Sequence, residues 1–172
     1  MRAEDFKPRN RLYVAKQVIA EFIKGRRSDR IGMVVFAGRS FTQCPLTLDY
    51  NVLLGLLEEI QIGLIEDGTA IGMGIAGAVN RLRQSTAKSK IIVLLTDGVN
   101  NTGAIDPITA ARAAKALDVK IYAVGVGKEG GAPIPVDDPV FGRTYARNRD
   151  GSLVMTEIDE PALKEIAEIT GG

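Results

Sequence analysis

Two oxygen-bearing side chains, Thr69 and Asp97, stand at positions where α/β proteins bind ligands. Asp97 follows the apolar run 91–95, which has no polar face and therefore predicts a strand buried on both sides. Thr69 lies in a loop before a predicted helix, so both residues are expected at the carboxyl ends of parallel strands. A hydroxyl and a carboxylate suit a hard divalent cation that keeps waters and takes an acidic ligand from a partner.

The same two residues also allow an interpretation without a ligand. Thr96-Asp97-Gly98 is a common turn sequence, and Thr69 is equally well suited as the N-cap of the helix that follows it. Two oxygens are also fewer than a cation site needs. The metal hypothesis and the purely structural one are therefore both open on these residues alone.

A glycine pattern gives an alternative hypothesis from a different functional class. Gly72, Gly74 and Gly77 match G-x-G-x-x-G, and Asp97 lies 20 residues beyond Gly77. This is the spacing of a dinucleotide fingerprint in which Asp97 binds the ribose, as in a Rossmann-type enzyme. The glycines should follow a strand directly, however, and the polar segment 66–69 intervenes. Close approach of the helix to the sheet also explains them, since each glycine costs a helix up to about 1 kcal/mol.

The composition excludes several other functions. The 172 residues carry a net charge of +1 and include no Trp, which predicts no nucleic-acid partner. There is no His, so histidine-based zinc sites and Ser-His-Asp triads are excluded. Cys44 is the single cysteine, so no intrachain disulfide forms. No apolar run reaches the length of about 18 residues of a membrane span, and the chain is expected to be soluble.

The hydrophobic pattern predicts one domain, 1–172, of alternating helices and apolar strands. Its fold class is α/β, a doubly wound, mostly parallel sheet flanked by helices. The predicted helices are 10–24, 49–60, 70–83, 107–117 and 160–169. The predicted strands are 31–36, 41–44, 91–95 and 119–124, the first two forming a hairpin and Pro45 ending the second. A further hairpin is predicted from 143–147 and 152–156.

Several separated segments resemble the von Willebrand factor type A (VWA) domain family. Residues 67–72 (DGTAIG) and 91–98 (IIVLLTDG) are similar to the second and third parts of its metal-ion-dependent adhesion site, or MIDAS. Further similar segments are Asn10-Arg11-Leu12, Asp29-Arg30-Ile31-Gly32 and residues 122–127. The stretch 132–145 is similar to bacterial aerotolerance-type (Bat) members.

The resemblance implies a Rossmann-like VWA fold that is incomplete at both ends. Thr69 and Asp97 would form a partial metal site, and the Asp-x-Ser-x-Ser ligands of the family would lie before Met1. An intact relative would hold Mg²⁺, or else Mn²⁺ or Ca²⁺, which this chain binds weakly or not at all. The implied function is a protein–protein interaction or adhesion-type module, not an enzyme, whose partner offers an acidic residue.

The resemblance also implies a location for the parent protein. It would be anchored in the bacterial inner membrane with this domain in the periplasm, in a membrane complex with other VWA proteins.

The family strand order 3-2-1-4-5-6 places an absent strand between 31–36 and 91–95. Buried ladder groups left unpaired there would cost about 1–3 kcal/mol each. We therefore expect one of three outcomes: the flanking strands pair directly, the 143–156 hairpin fills the gap, or a second chain lends a strand. The last outcome would give a strand-exchanged homo-oligomer.

Overall fold

The computed structural model describes residues 1–6, 8–128, 130–138 and 142–172. None of the helices in these ranges is long and apolar enough to cross a membrane. They begin and end close to the predicted positions: α1 (Arg11–Lys24), α2 (Tyr50–Glu58), α3 (Ile71–Leu82), α4 (Pro107–Ala116) and α5 (Glu160–Thr170).

Side-chain caps explain where four of these helices begin. Asn10, Asp49, Asp106 and Asp159 each precede a helix and accept a hydrogen bond from a backbone N–H of its first turn. Such caps satisfy a main-chain donor that has no partner within the helix. The helix α3 is the exception, since its N-cap residue Ala70 has no side chain that could do this.

The strands form three two-stranded sheets rather than one. The predicted hairpin is confirmed as antiparallel β1 (Ile31–Phe36) and β2 (Ser40–Thr47), and β3 (Lys90–Thr96) pairs in parallel with β4 (Val119–Gly125). The short strands β5 (Pro135–Asp138) and β6 (Gly142–Tyr145) pair antiparallel. Parallel pairing is therefore confined, in the described residues, to β3 and β4.

The prediction that Pro45 ends the second strand was wrong, because β2 continues to Thr47. The pairing of β1 with β2 shifts register between Ile31 and Met33, opposite this proline. A bulge needs no ladder N–H at the extra residue, so proline is tolerated there.

Helix α3 packs across β1, β2 and β3 and joins the two larger sheets. One hydrophobic core lies between α3, α4, α5 and the β3–β4 pair, with Ile75 and Ile121 fully buried. A second lies between α1, α2 and the β1–β2 hairpin, around Ile23 and Leu53.

Two of the three outcomes expected for the gap between β1 and β3 are not observed. In the described part of the chain, β1 pairs only with β2 and β3 only with β4, so the flanking strands do not close up. The 143–156 hairpin does not fill the gap either. Its first strand pairs mainly with β5, and Met155 bridges to Pro133. No strand was predicted between residues 124 and 143, so the pairing of the hairpin's first strand with β5 was missed.

Candidate functional site

Asp97 lies directly after β3, at its carboxyl end, with a side chain that is 15% exposed. Its Oδ2 atom contacts the ammonium group of Met1 and lies 3.6 Å from Nη1 of Arg11. The same Nη1 donates a hydrogen bond of 3.1 Å to the main-chain oxygen of Asp97. The carboxylate is thus held at the strand end, partly open to solvent and beside two positive charges.

Thr69 reaches the same edge of the sheet from the loop before α3. A Cβ placed on Gly98 would lie 3.3 Å from the Thr69 hydroxyl oxygen, so this hydroxyl is next to the residue that follows Asp97. The Thr69 N–H donates to Oδ1 of Asn101 over 2.9 Å. The Asn101 N–H donates in return to the main-chain oxygen of Thr69 over 3.1 Å. We call residues 66–70 and 97–101 the rim.

The N-cap interpretation of Thr69 was wrong. Helix α3 begins at Ile71, and its N-cap position is Ala70. The Ile71 N–H instead donates to Oδ1 of Asn100 over 2.9 Å, so the cap comes from the loop after β3. The two loops of the rim are therefore fastened to each other by Asn100 and Asn101.

Sequence patterns pointed neither to these two asparagines nor to the buried pair of Asp5 and Arg11. A poor capping residue before α3 was the available signal for Asn100. The signal for Arg11 was a positive charge in the first turn of a helix, where the helix dipole disfavours it.

The Arg11 guanidinium is fully buried and forms a forked ion pair with Asp5, whose side chain is 3% exposed. Its Nε lies 2.9 Å from Oδ1 and its Nη2 2.7 Å from Oδ2. The Lys128 N–H donates to the same Oδ2 over 3.0 Å. Burial alone would raise the pKa of the Asp5 carboxyl, but these hydrogen bonds and the Arg11 charge hold it below its ordinary value of 3.8.

This lowered pKa predicts an acid-sensitive contribution to stability. The contribution is complete above the ordinary pKa of 3.8 and is lost as the pH falls through the lower folded-state value. Replacing Asp5 with Asn should therefore cost about 3 kcal/mol of unfolding free energy near neutral pH. The cost should shrink as the pH falls below about 4, which urea denaturation over a pH series measures.

Asp29→Asn is the matched control, because Asp29 pairs with Arg26 at 3.9 Å on the surface, where a salt bridge contributes at most about 1 kcal/mol. An Asp5→Asn cost that stays constant down to pH values where the protein unfolds would contradict the assignment.

The rim supplies part of what a divalent cation requires. A hydroxyl and a carboxylate oxygen are donors of the right type, and both lie at the open edge of the sheet. Among the residues that the structure describes, no three His, Cys, Asp or Glu side chains form a metal-binding cluster. Thr69 and Asp97 thus have the oxygen chemistry of ligands for a hard cation, while the Asp97 carboxylate is in contact with the Met1 ammonium group.

The glycines of the nucleotide alternative lie inside α3, and the element before them is α2, not a strand. A Cβ on Gly72 would overlap the main-chain oxygen of Ile105, and one on Gly74 would lie 2.7 Å from the Phe36 ring. A Cβ on Gly77 would lie 3.4 Å from Val34. Close packing accounts for Gly72 and Gly74, and the strand–turn–helix geometry of the fingerprint is not present.

Fold and rim together define an α/β domain with oxygen donors at the carboxyl ends of its strands. The chain belongs to the von Willebrand factor type A domain family, whose family model matches residues 1–168. The predicted family membership and the predicted α/β class are thereby confirmed.

Two solved structures that are similar to this chain come from Bacteroides species. An aerotolerance-related membrane protein from Bacteroides fragilis is 36% identical with a TM-score of 0.86, over 100% of this chain and 83% of its own. BatB from Bacteroides thetaiotaomicron is 37% identical, also with a TM-score of 0.86, over 100% of this chain and 82% of its own.

A more distant structure shows the same fold with a metal. Proximal thread matrix protein 1 from the mussel byssus, with a zinc-occupied MIDAS motif, is 23% identical with a TM-score of 0.59, over 69% of this chain and 33% of its own. The curated relatives that match are longer, since the chain spans 37% of one and 20% of another.

Proposed function

We propose that this chain is a protein-binding module, not an enzyme, in which Thr69 and Asp97 bind a divalent cation as part of a MIDAS. One observation carries the proposal: two loops from distant parts of the sequence bring a hydroxyl and a carboxylate to one edge of the sheet, and Asn100 and Asn101 fasten them there. Members of this family commonly mediate protein interactions and use a metal ion at this site.

The cation would link the module to its partner. Thr69 and Asp97 leave most of a six-coordinate Mg²⁺ shell to other ligands. Water fills these positions in the free module, and an acidic side chain of the partner replaces one water on binding. In this chain the two positive groups beside Asp97 oppose a further cation, so Mg²⁺ or Mn²⁺ binds weakly, with a dissociation constant of about 1 mM or above.

The location and assembly are also proposals. The Bacteroides fragilis relative is described as a membrane protein, which supports a parent anchored in a bacterial inner membrane, with this domain in the periplasm. Other VWA proteins of the same membrane are the expected partners.

Paramagnetic Mn²⁺ tests the site, because it broadens nuclear magnetic resonance signals near even a weak site. Broadening is expected at the amides of 69–70 and 97–101, to be lost in Asp97→Ala and reduced in Thr69→Val. Asp29→Ala, which removes an exposed carboxylate elsewhere, is the control. Broadening centred on another region, or surviving in Asp97→Ala, would refute the site, and micromolar affinity would refute its weakness.

A further inference from the structure

We infer that Arg11 is the positioning residue of the rim, joining Asp97 to the segment 128–156 through one buried guanidinium. For cation binding this role rests on the proposed function, but the joining of the segments does not. Arg11 opens α1 and lies 86 residues from Asp97 and 145 residues from Thr156 along the sequence.

The N–H groups of the Arg11 guanidinium donate hydrogen bonds to residues in separate parts of the chain. Nη1 donates to the main-chain oxygen of Asp97 over 3.1 Å, while Nε and Nη2 bind the Asp5 carboxylate. Nη2 also donates to the Thr156 hydroxyl over 2.8 Å. Five fixed donors in a plane allow one side chain to bind all three partners at once, which a lysine could not do.

Two partners of Arg11, Asp5 and Thr156, also accept hydrogen bonds from main-chain N–H groups. Asp5 accepts from the Lys128 N–H over 3.0 Å, and the Thr156 hydroxyl oxygen accepts from the Ala132 N–H over 2.9 Å. The beginning and the end of the segment 128–156 are thus both held to Arg11, directly or through one residue.

The ion pair of Asp5 and Arg11 also affects the charge beside Asp97. Arg11 carries one positive charge between the carboxylates of Asp5 and Asp97. Because the fork directs Nε and Nη2 to Asp5, Arg11 opposes a cation at Asp97 less than an unpaired arginine would. A Cβ on Gly127 would lie 2.6 Å from Nη2, so the guanidinium also packs closely against this glycine.

Amide hydrogen exchange tests this role without any metal. Arg11→Lys keeps the charge but not the fork, and Gly127→Ala places a methyl group where it would displace the guanidinium. Both variants should speed exchange at the Lys128 and Ala132 amides by about tenfold or more, with the amides of α2 and β2 unchanged. Arg26→Lys, just beyond the C-terminal end of α1, and Gly55→Ala, where a Cβ meets nothing within 4 Å, are the matched controls.

If Arg11 contributed only to general stability, exchange in α2 and β2 would speed up equally, and that result would overturn the inference. No change in exchange at the Lys128 and Ala132 amides would also overturn it. Should Arg11→Lys fail to fold, Thr156→Val removes one partner and should affect Ala132 but not Lys128. Mn²⁺ broadening at the rim is then compared in the same variants, and Arg11→Lys should weaken it. Local exchange effects without Mn²⁺ broadening in the unaltered chain would refute the proposed cation site and leave Arg11 as the positioning residue.

Discussion

A strand of about six apolar residues fused directly before Met1 is expected to raise the free energy of unfolding by at least about 3 kcal/mol. Helix α3 packs across both β1 and β3, yet these strands do not pair with each other. Met1 lies at the carboxyl end of β3, in contact with Asp97. A strand ending at Met1 and running parallel to β3 would therefore enter the gap and give partners to the main-chain groups on both sides.

Urea denaturation of the two forms measures this effect, and a Gly-Ser extension of equal length is the control, because it also moves the ammonium group away from Asp97. Equal stability of the apolar and Gly-Ser forms would contradict the prediction. The remaining expected outcome, a strand lent by a second chain, is tested in the same series. Strand exchange would make the stability of the unextended chain rise with protein concentration, and the apolar extension should remove this dependence.

Replacing Gly72 with Ala is expected to lower the free energy of unfolding by at least about 3 kcal/mol. A Cβ at this position would overlap the main-chain oxygen of Ile105, in the loop before α4. Main-chain atoms cannot relieve an overlap by changing rotamer as a side chain can. Helix α3 or the loop must therefore move, which disturbs the core between α3 and α4. Thermal and urea denaturation both measure the loss.

Two other glycines provide the controls for Gly72→Ala. Gly55 lies in α2 with open space where a Cβ would be, so Gly55→Ala should add up to about 1 kcal/mol through helix propensity. Gly77 lies in α3 itself, but its Cβ would be 3.4 Å from Val34, an ordinary contact, and Gly77→Ala should change stability by less than about 1 kcal/mol. If Gly72→Ala folds with full stability, close packing does not explain this glycine, and a ligand-binding role for the motif would have to be reconsidered.

The sequence predicted most of the secondary structure because local signals determine it. The Asn10, Asp49, Asp106 and Asp159 caps are short-range hydrogen bonds, and they fixed where four helices begin. Apolar runs correctly indicated β1, β3 and β4. The prediction that the run 91–95 is buried on both sides was wrong, because Ile91 and Val93 are 48% and 43% exposed on one face of β3. Pro45 gave a wrong end for β2, because a proline ends a regular strand but is tolerated at a bulge. Whether a bulge forms depends on the register with the neighbouring strand, which the local sequence does not show.

Local patterns indicated the family, the apolar strand before Asp97, and Thr69 and Asp97 as the residues now proposed as ligands. Three features follow from tertiary packing alone: Asn100 rather than Thr69 caps α3, β1 and β3 remain apart, and a buried arginine lies beside Asp97. The physical reason is sequence separation. A cap or an apolar run acts within a few residues, whereas the bonds from Arg11 to Asp97 and Thr156 form only after distant segments have been packed together, and no local pattern encodes which atoms will then be neighbours.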